Sequence, residues 1–438
     1  MFAFDFSCAP RVARLVASGA FAAVAAGAVF AQSAVPAAST AELDPVQVRG
    51  NYLNGVGTSD AASAGTVTSR LIESRPTLRP AEVLEFVPGV IVTQHSGDGK
   101  ANQYYLRGFN LDHGTDFATW VDGMPVRETS VGIYADHQLE WTPWLRSVVG
   151  LRADRFFVEH TSSIAFNSGN RSAGLVSPKL SLVFGPWSKT ETFANYGWGY
   201  HSNDARGATA KVKPKEFNAD PSDPNAATEP SPLLVRSKGG ELGLRSEIVP
   251  GLQTSLALWQ LRLGSELVFS GDAGDTEASR PSTREGIEFS NHYVATPWLL
   301  LDGDFAWSRS RFTIDDPATP GRFIPGSVET VVSLGASVVE LGPWFGHFQL
   351  RYFGPRPLIE DNSVRSASTT LAYLRVGYRV APNVRIALDV FNLFDRKASD
   401  IEYYYASRLK GEPATGVANV HFHPVEPRRV RLTLTAQF

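Results

Sequence analysis

Residues Glu241-Leu242-Gly243-Leu244-Arg245-Ser246-Glu247-Ile248 alternate between apolar and polar side chains. Successive side chains of a β-strand point to opposite faces, so the leucines and the isoleucine share one face and the charged residues share the other. The same alternation recurs in residues 374–380 and 429–438. These runs predict strands with one apolar face and one charged face. The apolar face contacts either a protein core or, in a transmembrane barrel, lipid.

A proline-centred turn recurs between such runs, and successive prolines are 43, 64, 47, 46 and 39 residues apart. Proline favours tight turns and cannot continue a strand ladder. Each interval fits two membrane-crossing strands, one short turn and one long loop. The six turns are Thr142-Pro143-Trp144, Gly185-Pro186-Trp187, Val249-Pro250-Gly251, Thr296-Pro297-Trp298, Gly342-Pro343-Trp344 and Ala381-Pro382-Asn383.

Two features favour a barrel over a water-soluble sandwich. The loops at one end are long and polar (203–236, 271–283 and 315–328), whereas those at the other end are short turns. Four of the short turns carry a tryptophan, which prefers the headgroup level of a membrane. We therefore predict an all-β fold: a transmembrane antiparallel β-barrel at 130–438, with about 14 strands. The predicted strands are 130–141, 146–160, 175–185, 190–203, 237–249, 252–270, 284–296, 299–314, 329–341, 344–357, 367–381, 384–395, 402–408 and 427–438.

The first 31 residues have the pattern of a cleaved secretory signal. Arg11 and Arg14 precede the apolar run Leu15–Val29, and Ala31 offers a small residue for cleavage. The apolar run is short for a spanning helix, the alternative interpretation. The single cysteine, Cys8, lies in this segment, so the mature chain would have no disulfide, cysteine nucleophile or Cys-ligated metal. The 41 basic and 44 acidic residues form no polybasic tract, which argues against nucleic-acid binding.

The rest of the N-terminal third divides in two. Residues 32–65 are rich in small residues and are predicted to be flexible, apart from a short alternating piece at 42–48. Residues 66–129 have the pattern of a small α/β unit: a helix at 79–87 with Pro80 near its start, strands at 90–92, 103–109 and 118–121, and a tight turn at Asp122-Gly123.

Three motifs in this unit resemble the plug domain of TonB-dependent outer-membrane receptors: 85–90, 105–109 and 121–125. Residues 42–48 resemble the TonB box of that family, and 389–395 and 431–438 are similar to its last conserved segments. The plug-motif positions are Pro88, Gly89, Arg107, Gly108, Phe109, Asp122 and Gly123. The TonB-box positions are Glu42, Leu43, Asp44, Pro45, Val46, Gln47 and Val48, of which Leu43, Val46 and Val48 would carry the contact with TonB.

The chain departs from the family in length. The family's plug continues past the Asp122-Gly123 turn, whereas barrel alternation starts here at residue 130. The family's barrel has 22 strands. We therefore expect a truncated plug at 66–129 and an internally shortened barrel. Such a barrel either closes on fewer strands or leaves bare edges in lipid, which is costly.

The resemblance implies energy-coupled uptake of a scarce ligand, most commonly a ferric siderophore or another metal complex. The implied partners are the inner-membrane TonB complex, the ligand, and outer-membrane lipid and lipopolysaccharide around a monomer. Neither a cofactor nor an enzymatic activity is expected, because no catalytic constellation is present. The alternatives are a passive or non-functional barrel remnant, and an outer-membrane enzyme, which would need a nucleophile or an acid pair beside a histidine.

Few residues are candidates for binding. Arg107 is expected to pair with a barrel acid, because a lone charge in the lumen needs a partner. The loops 95–103 and 110–116 are expected to face the ligand. Their candidate ligand-binding side chains are His95, Asp112, His113 and Asp116, and His421 and His423 form a second candidate metal pair on one face of an extended segment. The alternative for both sets is polar loop residues that meet water.

Overall fold

The computed structural model describes residues 52–53, 55–94, 102–111, 120–121, 124–125, 130–203, 205–212, 227–270, 275–317 and 319–436. These all belong to one compact unit, Gly50–Phe438. The expected signal peptide, the TonB box at 42–48, and His95, Asp112, His113, Asp116, Asp122 and Gly123 lie outside the described residues. No helix in the described ranges is both long and apolar enough to cross a membrane.

The described parts of residues 52–125, which we call the N-terminal segments, contain short elements. Helix α1 spans Ser69–Ser74, and a 3₁₀ helix spans Pro80–Phe86, where a helix was predicted. The strands are β1 (Tyr52–Leu53), β2 (Thr66–Val67), β3 (Ile91–Gln94), β4 (Asn102–Leu106), β5 (Phe109–Leu111), β6 (Trp120–Val121) and β7 (Met124–Pro125). The single strand predicted at 103–109 is wrong, because Arg107 and Gly108 form a turn that separates β4 from β5.

The remaining chain is almost entirely strand, with a 3₁₀ helix at Ala165–Asn167 and helix α2 at Ala205–Thr209. Its strands are β8 (Ser130–Thr142), β9 (Leu145–His160), β10 (Gly169–Trp187), β11 (Thr190–Ser202), β12 (Leu234–Ser246), β13 (Leu252–Leu263), β14 (Leu267–Ser270), β15 (Asp275–Ala278), β16 (Ser282–Thr296), β17 (Leu299–Phe312), β18 (Thr330–Leu341), β19 (Trp344–Phe353), β20 (Thr369–Ala381), β21 (Val384–Phe391), β22 (Ser399–Ser407), β23 (Val417–Pro424) and β24 (Arg429–Ala436).

Thirteen of these strands form one antiparallel sheet, so the predicted all-β antiparallel architecture is confirmed. Its order is β24-β21-β20-β19-β18-β17-β16-β13-β12-β11-β10-β9-β8. Neighbouring strands that are also consecutive in the sequence form hairpins. Between β13 and β16 the chain forms a separate two-stranded sheet, β14–β15, and between β21 and β24 it forms another, β22–β23. Among the described residues no ladder joins β8 to β24.

The sheet has 13 strands, against a predicted count of about 14. The segment 402–408 lies in β22, which pairs with β23 and not with the large sheet. Three consecutive tyrosines, Tyr403 to Tyr405, give this segment no apolar-polar alternation, so it lacks the two-faced character of the sheet strands. Because the sheet has an odd number of antiparallel strands, its two edge strands, β8 and β24, run in the same direction.

The two faces of the sheet have the predicted chemistry. On the outward face, Leu242 is 63% exposed and Leu432 is 71% exposed, whereas Arg245 on the other face is fully buried. Tryptophans occupy the short-turn end, where the rings of Trp144 and Trp187 stack with centroids 6.0 Å apart. A continuous apolar belt with aromatic side chains at its edge is typical of a surface in contact with lipid.

The N-terminal segments pack on the charged face of the sheet. Small apolar clusters anchor them at three places, and each cluster joins one or two N-terminal side chains to residues of the sheet strands and of the segments that connect them. The clusters are Ala62 with Val183, Phe193 and Ala257; Ile91 and Tyr105 with Val328, Val331 and Phe353; and Leu78 with Leu371, Tyr373, Phe391 and Val425. Hydrogen bonds and ion pairs also hold these segments, and these polar contacts form the candidate site.

Candidate functional site

Arg107 stands at the tip of the β4–β5 hairpin. Arg107 and Gly108 both have positive φ angles, 50° and 77°, as a two-residue type I′ hairpin turn requires. Gly108 is needed for a second reason, because a Cβ at this position would collide with the Ser310 hydroxyl of β17. The turn therefore drives the Arg107 side chain directly at the sheet wall.

The structure pairs Arg107 with a sheet carboxylate. Its Nε and Nη2 atoms donate to the two carboxylate oxygens of Glu288 at 2.6 and 2.7 Å, and Nη2 lies 3.8 Å from Glu241. The guanidinium also lies over the ring of Trp259, 5.0 Å from its centroid. A bidentate arginine–carboxylate pair is among the strongest polar contacts that a protein makes. Removing either member would leave a buried charge.

The sheet also holds the segment 55–64 through its backbone. The Glu241 carboxylate accepts a hydrogen bond from the Ala62 amide at 3.0 Å. Arg245 donates to the carbonyl oxygens of Gly55, at 3.3 Å, and Ala61, at 3.1 Å. Sequence reasoning missed these contacts, because a backbone carbonyl leaves no sequence signature. The only available signal was the charged face of β12.

Two further ion pairs cross the interface from the N-terminal segments. Arg75 donates to Asp302 at 2.7 Å, with both side chains almost completely buried. Glu85 accepts hydrogen bonds from Arg351 and, at 2.7 Å, from the Val92 amide. Burial raises the pKa of Glu85 to about 7, although the charge of Arg351 opposes the rise.

A further contact uses two residues of the C-terminal motifs, Asp389 and Arg431. Asp389 of β21 accepts from Arg375 at 2.6 Å and from Arg431 at 2.8 Å. The two guanidiniums also donate to backbone carbonyl oxygens, that of Glu73 in α1 at 2.7 Å and that of Thr77, just after α1, at 3.0 Å. The carboxylate thus orients two arginines that hold the N-terminal backbone.

At the long-loop end, the N-terminal segments contact the β22–β23 hairpin. Gln103 of β4 donates through Nε2 to the Tyr403 hydroxyl at 3.0 Å, and it also hydrogen bonds with Asn110. The ring of His421 stacks on Tyr405 with centroids 3.9 Å apart, and its Nε2 lies 3.2 Å from the Tyr405 carbonyl oxygen. His421 and His423 lie two residues apart on β23. The described residues contain no group of three or more His, Cys, Asp or Glu side chains that could hold a metal.

The other described motif positions lie near Arg107. Gly89 adopts a φ of 81° directly after Pro88. Pro88 and Arg107 line a cavity of about 200 Å³ against the sheet. A second cavity of about 290 Å³, also lined by Arg107, lies against β10 to β13. The ring of Phe109 lies under the Arg284 guanidinium, 3.7 Å from its centroid to the guanidinium carbon.

Comparisons with solved structures give the same fold. The chain is 19% identical to the ferric-catecholate import receptor Fiu from E. coli K12, with a TM-score of 0.54 over 70% of this chain and 44% of that one. It is 19% identical to the copper transporter OprC, with a TM-score of 0.55 over 70% and 47%. It is 17% identical to the ferric yersiniabactin uptake receptor FyuA from Yersinia pestis, with a TM-score of 0.53 over 77% and 49%.

In each comparison the chain spans less than half the length of the solved structure. A search of curated proteins found no match. A family model described as "TonB dependent receptor-like, beta-barrel" matches residues 34–393, which is most of the chain. With the antiparallel sheet, its apolar outer face and the polar contacts of the N-terminal segments, this match shows that the chain belongs to the TonB-dependent receptor family of outer-membrane β-barrels.

Proposed function

We propose that the protein is an energy-coupled receptor of the outer membrane, in which residues 66–129 act as a shortened plug and residues 42–48 bind TonB. The polar nature of the interface carries this proposal. The N-terminal segments are held by ion pairs such as Arg107–Glu288 and Arg75–Asp302, with only small apolar clusters between them. Water can replace polar partners, whereas separating a large apolar interface costs free energy in proportion to its area. A force applied through TonB could therefore separate the plug from the sheet.

The proposed ligand is a ferric siderophore or another metal complex. The solved structures with the same fold include receptors and transporters for ferric complexes and for copper, and we carry that ligand class to this chain as part of the proposal. The side chains proposed to face the ligand are His95, Asp112, His113 and Asp116, and His421 and His423 are proposed as a further metal pair.

The proposal also covers the export of the chain and its membrane environment. A signal peptide at 1–31 would direct export and be cleaved. The outward leucines, of which Leu242 is an example, would contact outer-membrane lipid and lipopolysaccharide around a monomer. Apolar side chains exposed along the whole outer face support this arrangement, because a soluble monomer rarely exposes so large an apolar surface.

Site-directed cross-linking tests the energy-coupling step without knowledge of the ligand. A cysteine at Val46 should form a disulfide with a cysteine in the periplasmic part of TonB, because strand pairing brings the two backbones together. A cysteine at Ala38, outside the proposed box, is the matched control and should not cross-link. Equal cross-linking at both positions, or none at Val46, would refute the proposal. Uptake of ⁵⁵Fe from a catecholate complex should stop with Val46→Pro and continue with Ala38→Pro.

A passive pore is the second candidate, and one observation favours it. Luminal side chains of β8 and its neighbours are open to water: Tyr134 is 67% exposed, and Lys179 and Asp136 form an exposed pair 3.0 Å apart. Bilayer conductance that Val46→Pro leaves unchanged, together with ligand uptake independent of TonB, would select the pore.

A further inference from the structure

Arg356 lies in the connection between β19 and β20, at the long-loop end of the sheet. Its side chain is only 2% exposed. The guanidinium carbon lies 4.6 Å from the ring centroid of Phe353 and 5.5 Å from that of Tyr105 in β4. Arg356 is therefore enclosed between the sheet wall and the N-terminal segments, away from the lipid-facing side.

Arg356 is a buried arginine with neither the carboxylate partner of Arg75 and Arg351 nor the carbonyl partners of Arg245. Among the described residues, no carboxylate lies within ion-pair distance of its guanidinium, and its Nε and Nη2 atoms have no hydrogen-bond partner. Its Nη1 reaches the Ser366 hydroxyl only at 3.5 Å. The buried arginines that do have a carboxylate are Arg75 with Asp302, Arg284 with Glu266, and Arg351 with Glu85.

A second unsatisfied donor lies close by in the chain fold. The Ser327 hydroxyl is buried and has no hydrogen-bond partner among the described residues. Its neighbour Gly326 donates from its amide to the carbonyl oxygen of Pro357, next to Arg356, at 2.8 Å. A Cβ on Gly326 would lie 2.7 Å from the Nδ2 atom of Asn110 in β5. The region therefore adjoins the N-terminal residues expected to face the ligand.

These groups share one chemistry. A buried cation without a partner is unfavourable, and so is a buried hydroxyl without one. The unpaired atoms on Arg356 are N–H donors on a planar fork, which matches two oxygens of a carboxylate or a phosphate. The Ser366 hydroxyl beside Arg356 and the unpaired Ser327 hydroxyl are further possible donors in this region. An oxyanion bound at the Arg356 fork would satisfy its unpaired donors.

We propose that Arg356, Ser327 and Ser366 form an oxyanion-binding subsite that takes a carboxylate or phosphate group of the transported ligand. The assignment of the oxyanion to a transported ligand rests on the proposed function. The binding itself does not, and can be measured without transport. The ligand is thus expected to carry a net negative charge on oxygen.

The test measures thermal unfolding of the full chain in detergent, with inorganic phosphate and with citrate as probes at constant ionic strength. Each probe should raise the unfolding temperature of the wild type saturably. Arg356→Met removes the buried charge. It should therefore unfold at a higher temperature than the wild type in buffer without either probe, and its apparent affinity for phosphate should fall roughly tenfold or more.

Arg365→Met is the matched control. Arg365 lies in the same connection, but it is exposed and already paired with Glu329 and Asn362, so this variant should keep the phosphate response. Arg356→Lys keeps the positive charge but not the planar guanidinium, so it should weaken the stabilisation by phosphate. This variant replaces Arg356→Met in the test if the methionine variant does not fold. The proposal is wrong if Arg356→Met keeps the response, if it is less stable than the wild type without probes, or if the wild type does not respond.

The two proposals fail separately. Loss of the phosphate response alongside intact cross-linking of Val46 to TonB would overturn only the oxyanion subsite. A normal phosphate response without TonB cross-linking would overturn only the energy-coupled function.

Discussion

At the scale of single residues, charged side chains of the sheet hold the N-terminal segments by hydrogen bonds to their backbone as well as to their side chains. Glu241 accepts from backbone amides and Arg245 donates to carbonyl oxygens, while Arg107 reaches the other way to Glu288. Arg245 is fully buried and Glu241 and Glu288 are nearly so, so the free-energy contribution of each of these three charges depends on its partner being present.

Arg107→Met should destabilise the folded protein by about 3–5 kcal/mol, because it leaves the buried Glu288 carboxylate without its bidentate partner. Urea unfolding of the protein refolded in detergent measures the change. Arg309→Met is the control, since Arg309 and Glu285 form an exposed pair 3.6 Å apart, and its effect should stay below about 1 kcal/mol. Equal effects of the two variants would contradict this account of Arg107.

Glu85 predicts a pH dependence of stability. Its pKa of about 7 lies above the ordinary value of 4.5, so the folded protein keeps this proton to a higher pH than the unfolded chain does. The free energy of unfolding should therefore fall as pH rises from 4.5 to about 7, by at most about 3–4 kcal/mol, and level off above. Glu85→Gln should flatten this slope in urea titrations. An unchanged slope would show that Glu85 is not its source.

At the scale of strands, alternation alone predicted which face each sheet strand presents. Leu242 and Arg245 lie on opposite faces as expected, and most predicted strand limits agree with the structure to within a few residues. The prediction that segment 402–408 joins the large sheet was wrong, because its tyrosines suit any strand environment. The turn at Arg107-Gly108 was missed because an arginine with positive φ is not a usual turn signal.

Local sequence patterns also did not identify the partners of the charged residues in the site. An arginine at the end of β4 suggested a partner acid, and the structure supplies Glu288. The identity of that acid depends on the register of β16, more than 150 residues away in the chain, which no local pattern specifies. The contacts of Arg245 depend on carbonyl oxygens, which every residue has.

The outward face of a central strand gives a direct prediction. Leu334 of β18 is 47% exposed on the apolar face. Leu334→Arg should lower the stability of the bilayer-inserted protein by about 2–4 kcal/mol, because it places a charge in hydrocarbon. Ser181→Arg is the control, since Ser181 lines the open cavity of the charged face. Similar costs for both variants in vesicle unfolding would argue against lipid contact on the Leu334 side.

At the scale of the whole molecule, the odd number of sheet strands has a geometric consequence. Because β8 and β24 run in the same direction, these strands could pair with each other only in parallel, and a fully antiparallel closure needs an odd number of additional strands. Bare edges in hydrocarbon are costly. We therefore expect the membrane-inserted protein to have both edges paired. Unboiled protein should then migrate differently from boiled protein on a detergent gel, whereas identical migration would indicate an unclosed sheet.

Cysteine accessibility in lipid vesicles tests the central claim, that the apolar face of the sheet touches lipid and the charged face lines a lumen. Leu242→Cys places a cysteine on the apolar face, and Ser181→Cys places one on the charged face. A water-soluble maleimide should modify the cysteine at position 181 in intact vesicles, and the one at position 242 only after the membrane is dissolved and the protein unfolded. Rapid modification at position 242, in a protein that also stays folded and monomeric without detergent, would contradict the account.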